Sequence, residues 1–196
     1  MRRLFIAVLF VFIALPAFAQ DTPTSLRAIE TRGILTSPQE GQLTPDLWAG
    51  VARDEGLLLI ESLPTKYSSP TFYRLAERFL LTDAPGIAPT QVDKKAKPDL
   101  NAKPQDPNRP DILIARLDKL LQMGALKSAE KLYNTVVDDL PNNFDLAYRS
   151  LQILMLRGQF TAACVDIQAM QSLHGNDPRW KELNQLCRIQ YAVGAD

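Results

Sequence analysis

A fixed step of 34 residues runs through the last part of the chain. Gly124 and Gly158, Ala129 and Ala163, Leu117 and Leu151, Leu120 and Leu154, and Asn142 and Asn176 are each 34 positions apart. A period of that size marks a helical repeat array, in which one helical hairpin is copied and the copies stack. A lone hairpin leaves apolar faces open on both sides, so each copy must pack on a neighbour. The period therefore sets the fold class first: all-α, built from antiparallel helical hairpins.

The residues between the repeated positions supply the helices. Asp111 predicts a helix start, followed by Leu113, Ile114, Leu117, Leu120 and Leu121, and Gly124 closes that helix. Leu126, Ala129, Leu132, Tyr133, Val136, Val137 and Leu140 make a second helix, stopped by Pro141-Asn142-Asn143. The pattern restarts with Leu146, Tyr148, Leu151, Ile153 and Leu154, turns at Arg157-Gly158, and continues through Phe160, Ala163, Ile167, Met170 and Leu173. Asp177-Pro178 opens a fifth helix with Trp180, Leu183, Leu186 and Cys187. Small Ala129 and Ala163 let two helices cross closely. Tyr133 and Ile167, one turn on, fill the gap, and Gly124 and Gly158 permit the tight reversal.

Gly124-Ala125-Leu126-Lys127-Ser128-Ala129, with Tyr133, Val136 and Pro141-Asn142-Asn143, resembles the second-helix pattern of the tetratricopeptide repeat (TPR) family. Gly158-Gln159-Phe160-Thr161-Ala162-Ala163 resembles it again. The first helices depart from it, with Leu117 and Leu151 where the family places a small residue. The resemblance implies a short TPR-like α-solenoid over 111–196, two repeats plus a capping helix. It also implies a groove for a peptide or partner helix on the inner face of the first helices, at Asp118, Gln122, Tyr148, Arg149, Gln152 and Met155. Tyr148 and Arg149 are of the residue types that anchor interfaces. A generic helical-bundle core is the alternative for this block. Residues 191–196 supply no polar capping helix, which leaves room for a longer array.

The N-terminus has the layout of an export signal. Arg2 and Arg3 precede an unbroken apolar run of 12 residues, Leu4 to Leu15. Pro16 breaks the run and Ala17-Phe18-Ala19 supplies small residues, so cleavage is expected between Ala19 and Gln20. The run is shorter than the roughly 20 residues of a membrane span. We expect residues 1–19 to be a cleaved signal of bacterial type, with membrane contact only during export and the periplasm as the compartment. An uncleaved anchor is the alternative.

Residues 20–43, polar with Pro23 and Pro38, read as an extended leader. Thr44-Pro45-Asp46 signals a helix start, and Leu47, Trp48, Val51, Leu58 and Leu59 follow near one face. Ser69-Pro70 repeats the signal, followed by Phe72, Leu75, Ala76, Phe79 and Leu80. Residues 44–82 thus form a separate αα-hairpin, to be covered by the repeats or by a partner. Asp54 and Glu55 are neighbours on its first helix, so their carboxylates point about 100° apart and suit a solvated face, not a catalytic pair. Residues 83–110 hold Pro85, Pro89, Pro98, Pro104, Pro107 and Pro110 and read as a Pro-rich linker.

Cys164 and Cys187 flank the turn near Gly175-Asn176 at matching distances, so they come level in an antiparallel helix pair. A disulfide is expected in an oxidising compartment, two buried thiols being the alternative. Their spacing fits no zinc, haem or thioredoxin motif.

The composition offers little chemistry. Basic and acidic side chains number 22 each, so the chain lacks the clustered positive excess of a nucleic-acid binder. His174 is the single histidine, placed in a turn and read as solvated. Neither a catalytic triad nor a histidine-built metal site follows from it, and there is no glycine-rich phosphate loop. We therefore expect no enzyme, no cofactor and no metal. Three roles compete: a protein–protein interaction module or scaffold of the cell envelope, a cell-wall or envelope-polymer binder, and a non-catalytic accessory subunit of an envelope enzyme complex. Polymer binding would draw on Trp48, Tyr67, Tyr73 and Trp180, of which Trp48 and Trp180 look like core.

Overall fold

The computed structural model describes residues 26–87 and 110–193 of the chain. The export signal, its cleavage point at Ala19 and Gln20, and linker residues 88–109 lie outside the described residues. Among the described residues the structure is helical, with two isolated β-bridges, Leu35 to Thr82 and Ala49 to Ile87. The helices are α1 (Leu26–Glu30), α2 (Arg53–Ser62), α3 (Pro70–Leu81), α4 (Asp111–Gln122), α5 (Leu126–Asn134), α6 (Phe144–Leu156), α7 (Phe160–Ala169), α8 (Gln171–His174) and α9 (Pro178–Val193).

α4 occupies the centre, packed on α1, α2, α3, α5 and α6. Ile112, Leu113, Ile114, Leu117 and Leu120 are buried there, as its near-continuous apolar sequence requires. Full burial of each such side chain contributes about 1.5–3 kcal/mol. Two cations are buried on the same helix, and both are satisfied by main chain. Arg116 donates through Nε to the Leu80 carbonyl at 2.7 Å, through Nη1 to Glu30 at 3.0 Å and Arg32 at 2.7 Å, and through Nη2 to Thr82 at 3.3 Å. Burial lowers its pKa to about 10, against the nearby Asp83 charge, so it stays protonated at neutral pH. Lys119 Nζ donates to the carbonyls of Glu61 at 3.0 Å and Leu63 at 2.7 Å and so closes the C-terminal end of α2.

Most repeat positions behave alike in both copies, though Leu120 is fully buried and Leu154 only half-buried. Ala129 and Ala163 are fully buried, as are Leu117 and Leu151. Gly124 and Gly158 have φ of 76° and 75°, where an added Cβ would meet nothing. Backbone conformation, not space, requires glycine at both turns. α4 pairs with α5 and α6 with α7, while α6 packs on both α4 and α5.

Two clusters of buried apolar residues meet in α6. Leu146 and Ile153 join the larger cluster with α4, α5 and the first hairpin. Ala147 and Leu151 join the smaller one with Ala163, Ile167, Trp180 and Leu183. Trp180 Nε1 donates to the Ile167 carbonyl at 3.2 Å, which satisfies the indole inside that cluster.

Several expectations are corrected. The hairpin is not separate: Trp48, Ile60 and Leu80 share one core with α4 and α5. The leader is not merely extended from residue 26 on. Ile29, Glu30 and Thr31 are buried, and Ile34 and Leu35 donate to the Leu81 carbonyl at 3.0 and 3.1 Å. Gly33 lies so close to α3 that a Cβ would stand 2.3 Å from the Leu81 oxygen. Thr44-Pro45-Asp46 makes a turn instead of a helix start, with Thr44 Oγ1 accepting from Asp46 at 3.3 Å. α2 begins at Arg53 because Glu55 accepts from the Ala52 N–H there, at 3.4 Å. The linker does not begin at 83, since Ala84 and Ile87 are buried in the core. The helix carrying Ala163 stops at Ala169, and α8 follows it as a short separate turn.

Candidate partner-binding face

Asp118 on α4 and Arg149 on α6 form a two-pronged ion pair. Arg149 Nη2 reaches Asp118 Oδ2 at 2.7 Å, and Nε bonds Oδ1. A planar guanidinium on a carboxylate fixes orientation as well as distance. The arginine side chain is 12% exposed and the aspartate 35%, so the pair lies at the surface with its apolar stem covered. Gln122 lies one turn beyond Asp118, and Gln152 one turn beyond Arg149, each on the same face of its helix.

The line continues along α6 toward α9. The Arg149 guanidinium stands 5.4 Å from the Tyr148 ring centre. Tyr148 stacks on Phe144 at 6.0 Å, with the rings inclined by 21°. Arg179 of α9 lies over Phe144 at 4.2 Å and near Tyr148 at 5.6 Å. Asp177 and Asp145 hold that guanidinium, at 3.3 and 3.5 Å. The hydrogen bond from Arg179 keeps the Asp177 carboxyl below its ordinary pKa, and the two carboxylates raise that of Arg179.

The structure brings Asp118, Arg149 and Tyr148 together. Gln122 is exposed beside a small concavity of about 210 Å³ shared with Glu61, Ala115 and Lys119. Gln152 and Met155 are half-buried. Gln152 Oε1 is buried with no hydrogen-bond partner among the described residues, and Met155 packs on the second cluster. Cys164 and Cys187 are joined by a disulfide between α7 and α9, with Cα atoms 5.5 Å apart.

His174 is corrected. It is 8% exposed, wedged edge-on to Phe144 at 5.4 Å and tilted to Trp180 at 5.0 Å. Of the four aromatic side chains considered for polymer binding, Trp48 and Trp180 are core residues, 1% and 0% exposed. Tyr67 and Tyr73 are half-buried and meet edge-on at 6.1 Å.

The sequence left open what covers the apolar residues of the first hairpin, and part of that surface stays uncovered. Between α2 and α3 an apolar cleft of about 720 Å³ stands open, walled by Leu59, Leu63, Phe72, Leu75 and Phe79. The signal was present: α3 carries apolar residues over more of its circumference than one neighbouring helix covers. No family model, curated protein or solved structure matches the chain.

Proposed function

We propose that this chain is an exported, TPR-like interaction module of the bacterial periplasm, holding a protein or peptide along the face built by α4 and α6. The Asp118–Arg149 pair carries the reading. It joins the first helices of two copies related by the 34-residue step and sets amide, aromatic and cationic groups in one row beside it. Such a row offers hydrogen bonds and a rigid aromatic–arginine anchor, and it contains no nucleophile–base pair. The Cys164–Cys187 disulfide and the N-terminal sequence pattern support export to an oxidising compartment.

A photo-crosslinking amino acid placed at Gln122 and at Gln152 in living cells tests this. The expected result is one discrete protein adduct in the fraction released by osmotic shock, lost on Tyr148→Ala with Arg149→Ala. Adducts only with insoluble wall material, or a chain retained in the cytoplasm, would overturn the reading.

A further inference from the structure

We propose that the α2–α3 cleft is a docking site for one amphipathic helix of a partner protein, whose apolar stripe fills the cleft and whose acidic side chain meets Lys66. The cleft is a different surface from the α4–α6 face, and the proposal stands independently of the function argued for that face.

The walls are helical on both sides. Phe72, Leu75, Ala76 and Phe79 follow the spacing of a single helix face over about two turns of α3. Leu59 and Leu63, one turn apart, form the opposite wall. Two helix faces splayed apart seat a third helix, whose residues at matching spacing become the anchors. The walls are also uncovered: Leu59 is 46% exposed, Phe72 64% and Leu75 47%. The other sides of this hairpin are already occupied, α2 by α4, and α3 by α4 and α5. A helix in the cleft therefore continues the packing that the chain itself uses.

The charge at the mouth selects the occupant. Among the described residues, Lys66 is the one charged side chain lining the cleft, and it is exposed in the turn between the helices. Ser68 and Ser69 line the same end, where α3 begins at Pro70. The Ser69 side chain makes no capping bond, so the positive end of the α3 dipole opens on the same mouth. An ammonium and a helix N-terminus together favour a carboxylate on the partner.

The test is selection from a displayed library of helical peptides of about 14 residues, roughly four turns. The bait is the purified whole chain, with counter-selection against the Phe72→Asp variant. Phe72 is largely exposed, and circular dichroism with a thermal melt verifies that this variant folds. The expected peptides carry apolar residues at helical spacing and an Asp or Glu toward one end. They should bind Phe72→Asp at least tenfold more weakly, and selection on Lys66→Glu should exchange the acidic residue for Lys or Arg. No enrichment, an enriched pattern without helical period, or a charge preference indifferent to Lys66→Glu would overturn the proposal. So would sedimentation showing a dimer that Phe72→Asp dissociates, because the occupant would then be a second copy. Displacement of the selected peptides by dodecanoate at equal concentration would overturn it in favour of an acyl chain.

Discussion

Arg116 on α4 donates to the Leu80 carbonyl at 2.7 Å, across the junction between the first hairpin and the repeat block. The same guanidinium holds the carbonyls of Glu30, Arg32 and Thr82. One side chain thus ties the segment after α1, the end of α3 and the middle of α4 into a single core. Arg116→Met keeps the bulk and removes every donor. Unsatisfied buried carbonyls are costly, so we expect a loss of at least about 3 kcal/mol in urea unfolding. Wild-type stability in that variant would show that packing alone joins the two parts.

The disulfide closes a loop with a sequence separation of 23. In the chain-entropy account a loop of that size is worth about 3 kcal/mol. Replacing both cysteines by serine should lower stability by an amount of that order. Amide exchange should rise in α7 and α9 while α4, in the other cluster, keeps its protection. Equal loosening of α4 would mean that the two clusters melt as one unit.

Gly124 and Gly158 share a backbone conformation and have open space at the missing Cβ. Alanine at either turn should therefore cost only the left-handed strain, about 1–2 kcal/mol, and asparagine less. Thermal melts of the single variants should give matching shifts. A much larger cost at one turn would expose a contact absent from the other.

The Asp177 carboxyl is held below its ordinary pKa, chiefly by its hydrogen bond from Arg179. A carboxyl whose folded pKa is depressed stabilises the fold above the unfolded pKa, near 3.9, and loses that contribution as pH falls through the folded value. The stability difference between wild type and Asp177→Asn should be constant above about pH 5 and shrink progressively as the pH falls through the unfolded pKa and on through the lower folded value. Trp180 fluorescence in a Trp48→Phe background reads this at the start of α9. A difference that persists undiminished at low pH would assign the effect to the asparagine side chain instead.

What the sequence made legible was the local grammar. The 34-residue step located both glycine turns and the buried Ala129 and Ala163, and the turn near Gly175-Asn176 gave the register that brings Cys164 level with Cys187. The row Asp118, Tyr148 and Arg149 was named only through the resemblance to the tetratricopeptide family, not through the step itself. Three of the misses share one cause, which is burial that leaves no apolar periodicity. Glu30 is fully buried because Arg53 binds its carboxylate at 2.7 and 3.1 Å and the Ile112 N–H donates to it at 3.2 Å. A polar leader with a charged residue gives no hint of that. Arg116 and Lys119 drew no reading from the apolar spacing of α4, and both are buried against carbonyls from distant segments. His174 follows the same rule, because its neighbours Phe144 and Trp180 arrive from other helices. The open α2–α3 cleft is the reverse case: apolar spacing says which residues share a face, not whether anything covers it.

The disulfide also fixes how tension passes through the chain. A pull applied beyond Cys187 reaches α7 directly through the sulfur atoms, so the segment between the two cysteines cannot pay out slack. Inward of the disulfide, the first extensible element is then the α6–α7 hairpin, whose inner helix is the wall shared by both clusters. A tethered partner tugging on this end would, once the last turn of α9 beyond Cys187 had given way, strain the polar row of α6.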